Sequence, residues 1–127
     1  MLRRASPSNR PAPEALRDIA AVVNAGLAAL PFEGVFTSFT SGDTATTPGI
    51  YILSASSGAI TFNLPSAVSM KGKFYLVKKT DSSGNAITVT RALSETIDGA
   101  TTEALSAQYD SVLIVSDGAN WHVVARI

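Results

Sequence analysis

The sequence predicts a mainly β protein: an antiparallel β-sandwich or barrel of about eight short strands, preceded by an extended N-terminal arm and one short α-helix. Three observations predict it. From Gly49 to Ile127, apolar and polar residues alternate in short runs such as Ile60-Thr61-Phe62-Asn63-Leu64, Ile87-Thr88-Val89-Thr90 and Val112-Leu113-Ile114-Val115. Gly, Pro, Asn, Asp and Ser bound these runs at spacings of about 8–14 residues, the rhythm of strands joined by tight turns. The chain is also large enough to close one core. Its 127 residues are 46% hydrophobic, and a domain of that size buries roughly two-thirds of the surface its unfolded chain exposes.

In chain order, residues 1–12 form an arm rich in Pro, Ser and Asn, with Arg3, Arg4 and Arg10 and no acid among its first ten residues. Such a composition cannot offset its own ordering entropy. Residues 13–30 read as an amphipathic helix. Pro13 suits a first turn, Glu14 and Asp18 favour the positive end of the helix dipole, and Pro31 stops the helix. Leu16, Ile19, Val23, Leu27 and Leu30 recur at spacings of three or four and make one apolar stripe. A helix this short rarely persists alone in water, so it must pack on its own β domain or on symmetry mates around a three-fold axis. Residues 31–48 are a connector, in which Gly34 to Phe39 is a first strand or an extended link and Thr40 to Pro48 a Ser/Thr/Gly loop.

Residues 49–127 are the β domain. Its strands fall at Ile50–Leu53, Ala59–Leu64, Phe74–Lys79, Ala86–Arg91, Thr101–Ser106, Ser111–Ser116 and Trp121–Ala125, with one helical turn expected between Pro65 and Gly72. Ser56-Ser57-Gly58, Asp81 to Asn85, Asp98-Gly99 and Asp117 to Asn120 supply the corners. Alternation turns Ile60, Phe62, Leu64, Ile87 and Val89 inward. It leaves Thr61, Asn63, Thr88 and Thr90 on a hydroxyl-rich outer face.

Charge and chemistry exclude several classes. Lys plus Arg balance Asp plus Glu at ten each, so no global field draws the protein to nucleic acid. The longest apolar stretch, Ile19 to Leu30, is too short for a membrane span of roughly 20 residues, and Met1-Leu2-Arg3-Arg4 lacks the apolar core of a secretory signal. A soluble, untargeted chain is expected. With no cysteine, there is no disulfide scaffold, thiol nucleophile or thiolate metal site. The lone histidine, His122, lies in the last strand with no partner legible in sequence, and reads as a surface or interface residue. Glu95 and Asp98 sit close enough for a glycosidase pair, yet beside Gly99 they read as turn formers. Asp81 to Asn85 lacks the spaced acids of a calcium loop. Lys78 and Lys79 point to opposite faces of one strand, where lysines suit a solvated edge. No phosphate cradle or nucleophile elbow is present, so neither enzyme activity nor a cofactor is expected.

Several phrases together resemble a small β module of tailed-bacteriophage virion appendages, found in capsid decoration or cement proteins, head fibres and tail fibres. They are Ser57 to Pro65, Lys73 to Asp81, Asn85 to Thr90, Glu95-Thr96-Ile97-Asp98-Gly99, Gln108 to Val112, and the ending Ser116 to Val124. The resemblance covers about 60% of the chain and none of its first 48 residues. It implies a homotrimeric β body anchored through its N-terminal segment, assembled in the host cytoplasm and carried on the virion, and it carries no catalytic residues. The expected partner is the major capsid protein, gripped by the arm through Arg3, Arg4 and Arg10. The alternative is a short tail-fibre or head-fibre adaptor that meets tail or portal proteins or a host surface glycan. Neither nucleic acid nor a membrane is an expected partner.

Overall fold

A computed structural model describes residues 34–127. The arm residues Arg3, Arg4 and Arg10 and the stripe Leu16, Ile19, Val23, Leu27 and Leu30 lie outside the described residues.

The described chain is a two-sheet sandwich of eight strands: β1 (Val35–Phe36), β2 (Gly49–Leu53), β3 (Ile60–Asn63), β4 (Phe74–Lys79), β5 (Ile87–Thr90), β6 (Thr102–Leu105), β7 (Ser111–Ser116) and β8 (Trp121–Arg126). The single helical turn expected before β4 is a 3₁₀ turn over Ala67–Met70. One sheet has the order β1-β2-β4-β7-β8, the other β3-β5-β6.

The sheets are mixed, where antiparallel pairing was expected throughout. β1 with β2, β2 with β4, and β3 with β5 run parallel. The reason is topological. The Ser56-Ser57-Gly58 corner does not fold β3 back on β2 but carries the chain into the other sheet. The chain then returns to lay β4 beside β2, and crosses again to lay β5 beside β3. Hairpins and inter-sheet corners use the same turn residues, so the alternation pattern does not distinguish them. Only β4–β7, β5–β6 and β7–β8 pair antiparallel.

The core lies between the sheets. Ile60, Phe62, Leu64, Ile87 and Val89, the residues expected inward, are all buried. Tyr51, Tyr75, Ile114 and Trp121 from the larger sheet meet them. The aromatic rings interlock: Tyr51 stands edge-on to Phe62 at 4.8 Å, Tyr75 edge-on to Trp121 at 5.5 Å, and Phe36 stacks on Tyr51 at 4.7 Å. Each large side chain withdrawn from water here contributes about 1.5–3 kcal/mol. The two core tyrosines keep their hydroxyls satisfied, Tyr51 donating to the Thr47 carbonyl at 2.7 Å and Tyr75 to that of Ala45.

Strand edges are handled individually. Residues 42–45 run along the outer edge of β3, with Gly42 N–H donating to Thr61 O and Ala45 N–H to Asn63 O, both at 2.8 Å. β1 covers the edge of β2 only because Gly49 has no side chain. A Cβ there would sit 2.5 Å from the Gly34 carbonyl oxygen. Gly49→Ala is therefore expected to detach β1 while the remaining strands persist. Hydrogen exchange would show it as loss of protection at Ile50, whose N–H donates to Gly34 O at 3.0 Å, with β4 and β7 amides still slow.

A bulge between Leu113 and Ile114 shifts the register of β8 and leaves Val124 opposite no residue. Beyond it Arg126 pairs with Val112, a core-facing position. From there its guanidinium reaches Glu103 on β6, Nη2 to Oε2 at 2.6 Å. This contact links the last strands of the two sheets.

Candidate docking surface and polar clusters

Three polar clusters bring charged side chains of the described residues together. The deepest surrounds Lys79. Its strand is the middle one of five, and its side chain is completely buried. The expectation of a solvated lysine edge is thereby corrected for Lys79. The ammonium donates to the Asp81 carboxylate at 3.0 Å, to the Asp81 carbonyl at 2.8 Å and to the Ser83 carbonyl at 3.0 Å. All three of its protons are used. Asp81 also accepts from the Ser83 hydroxyl, from Ala55 N–H at 2.6 Å and from Ser83 N–H at 3.1 Å. Those bonds, the Ser83 hydroxyl first and the Lys79 ammonium among the others, hold its carboxyl well below the usual carboxylate range. Asp81 to Asn85 thus wraps an ammonium, and Asn85 ties the loop to the Ala55 carbonyl at 2.9 Å. Lys78 points to the opposite face, as alternation required, and lies 5.3 Å from the Tyr109 ring centre.

The second cluster separates the two carboxylates that looked like a glycosidase pair. Glu95 reaches the 3₁₀ turn, accepting from Ser66 Oγ at 2.7 Å and Ala67 N–H at 2.9 Å. Asp98 occupies a two-residue turn with Gly99, at φ 50° and 82°, the left-handed pair of a type I′ hairpin. Its carboxylate accepts from Val123 N–H at 3.1 Å. The turn-forming reading holds for Asp98, whereas Glu95 caps the 3₁₀ turn. No pocket lies between them, and none forms among the described residues.

The third cluster contains His122, half-exposed on the outer side of β8 as alternation predicted. Its Nε2 lies 2.7 Å from Asp117 Oδ2 and its Nδ1 3.8 Å from Asp98 Oδ1. Asp117 also accepts from Asn120 N–H at 2.7 Å and Ala119 N–H at 2.8 Å. Those backbone bonds, with His122 adding to them, lower its carboxyl to about 2. A depressed carboxyl adds stability above its ordinary value near 3.8, and that stability is lost as pH falls through about 2. The Asp117 turn is thus expected to keep its geometry at pH 3. An NMR titration of the Asp117 carboxyl should give a midpoint about two units below an ordinary aspartate, and a midpoint near 4 would contradict this assignment. Among the described residues no group of His, Cys, Asp and Glu is arranged to hold a metal ion, and none of their helices is long and apolar enough to cross a membrane.

The larger surface feature is apolar. On the side of the five-stranded sheet away from the core, register places Val35, Ile50, Leu76, Leu113 and Ala125 side by side, one from each strand. Ile52 and Val115 extend this row above and below. None of these residues belongs to the buried core. Val35 is 61% and Ile52 37% exposed. The smaller sheet's outer face behaves in the opposite way, with Thr61 beside Thr88 and Asn63 beside Thr90. That hydroxyl-rich face was legible in the sequence. The apolar row was not, because it depends on which strands are neighbours. Two further exposed apolar residues, Val68 and Leu93, stand on the loops that Glu95 ties together, and Leu93 holds φ at 52°.

No protein-family model matches the chain, and no curated protein matches it either.

Proposed function

We propose that this chain is a structural protein of a tailed-phage virion, a trimeric capsid decoration protein that bridges major capsid subunits through its N-terminal arm. The observation that carries an assembled role is the apolar row across the five-stranded sheet, on the side where a free-standing sheet would present polar residues. The virion setting rests on the resemblance of Ser57–Pro65, Lys73–Asp81 and Ser116–Val124, segments that span much of β3, β4 and β8. The charged side chains described above, moreover, are engaged in holding loops and sheet edges, which suits a passive part.

The mechanism is mechanical. Arms carrying Arg3, Arg4 and Arg10 would run across capsid joints, burying apolar surface at ~25 cal/mol per Å² and pairing guanidinium groups with capsid carboxylates. Several arms on one body add avidity, because releasing one leaves the others bound. The pressure of packaged DNA must then break several joints together.

A short tail- or head-fibre role is the second reading, favoured by Val68 and Leu93 at one loop end, where Leu93 pairs exposure with a left-handed backbone. Particles assembled without the protein separate the two. Decoration predicts heads that rupture at lower temperature in electron micrographs, with adsorption unchanged. Robust heads with poor adsorption would favour the fibre and overturn the decoration reading.

A further inference from the structure

We propose that the loop Asp81 to Asn85 is a binding site for a primary ammonium ion, filled in the native protein by the chain's own Lys79 and open to a free alkylammonium once that side chain is shortened. The class of ligand is read from what meets the ammonium. It donates to the Asp81 carbonyl at 2.8 Å, and to Asp81 Oδ2 and the Ser83 carbonyl at 3.0 Å. That is one acceptor for each proton of a primary ammonium, and the single carboxylate balances a single positive charge. A divalent metal ion matches poorly. Calcium takes about 6–8 oxygens at about 2.3–2.6 Å, whereas these three stand at N–H···O distances. Because the native ion is covalently attached, the order of this loop needs no dissolved cation.

The oxygens are aimed by bonds to the neighbouring crossing between the sheets. Asp81 Oδ1 accepts from Ala55 N–H at 2.6 Å and Oδ2 from Ser83 N–H at 3.1 Å. The Ser83 hydroxyl donates to Asp81 Oδ2, lies 3.3 Å from the Ala55 carbonyl, and accepts from Asn85 N–H at 3.2 Å. Thr80 is pinned to the Leu53 carbonyl by its N–H at 2.8 Å and its hydroxyl at 3.1 Å. The ammonium and these bonds support one another, so emptying the cage loosens the loop and refilling it restores the order. An ion that binds the ordered loop and not the unfolded chain stabilises the fold by mass action. Lys79→Ala removes the equivalent of n-propylammonium, whose alkyl part would lie beside Leu53, the buried register partner of Lys79. Ser82 and Gly84, on the outside of the loop, are exposed and give a dissolved ion a short way in.

The test uses the full-length chain carrying Lys79→Ala. n-Propylammonium chloride should raise its thermal midpoint by about 4–8 °C at roughly five times the dissociation constant, over any change in the wild type. Tetramethylammonium chloride, equal in charge but without an N–H, should not. Protection of the Ala55 amide against hydrogen exchange should fall in the variant and return with propylammonium, because that amide donates to Asp81 only while the loop is ordered. Lys79→Met, whose stem fills the space, should gain nothing from either salt. Three results would each overturn the inference: both salts shifting Lys79→Ala alike, Lys79→Met or the wild type gaining as much, or Lys79→Ala staying unfolded in propylammonium. None of them bears on the assembled role proposed above.

Discussion

Lys79→Met is expected to destabilise the protein by about 3 kcal/mol, lowering the thermal midpoint by on the order of 10–20 °C. Methionine matches the length of the lysine stem, so the packing of the middle strand is kept and only the ammonium is lost. Two acceptors then lose their donor, the carbonyls of Asp81 and Ser83, and Asp81 Oδ2 loses its charged partner while keeping the Ser83 hydroxyl and N–H. A buried acceptor without a donor costs about 1–3 kcal/mol. The loop 81–85 would loosen with them, and the ties from Asp81 and Asn85 to residue 55 would follow. Asp81→Asn is expected to be harmful by the converse route, leaving a completely buried ammonium facing a neutral amide. The two changes should be strongly non-additive, since each removes the same contact. Chemical denaturation of both single variants and the double variant measures this. Additive effects would mean that Lys79 and Asp81 act separately.

The second large effect is expected at Trp121, where alanine should cost about 3–5 kcal/mol. The indole is fully buried, edge-on to Tyr75 at 5.5 Å, and donates from Nε1 to the Pro65 carbonyl at 3.2 Å. Its backbone adds a second function. Trp121 N–H donates to Thr96 O at 2.9 Å, and its carbonyl accepts from Asp98 N–H at 3.1 Å, so residues 96–98 run along the start of edge strand β8. The side chain thus fixes the strand to which that segment clings. Trp121→Phe should recover most of the loss, because it refills the core and forfeits chiefly the bond to Pro65. Calorimetry of the two variants checks the order. Equal losses would mean that the hydrogen bond, not the volume, dominates.

Much of the sandwich was legible because period-2 alternation reports directly on burial. Phe74–Lys79 and Ser111–Ser116 are strands with the expected ends, and Ile60, Phe62, Ile87 and Val89 point inward. Turn chemistry was equally local: Asp98-Gly99 and Asp117 to Asn120 form the corners their residue types demand. What sequence could not give was pairing. β2 and β4 are neighbours across an excursion through the other sheet, and no local pattern records that. The same blindness hid the environment of Lys79. Its alternation marked it correctly as opposite Lys78, but a lysine on the inner face of a middle strand is stable only because Asp81, two residues on, curls back to meet it. It also hid the apolar row, whose members are unremarkable singly and contiguous only once the strand order is known.

The proposed role makes the molecule one part of a multi-copy assembly, and its mass in solution tests that most directly. Light scattering on the purified full-length chain should return about three times 13.2 kDa, unchanged on dilution through the micromolar range. A particle of 13.2 kDa at every concentration would contradict it.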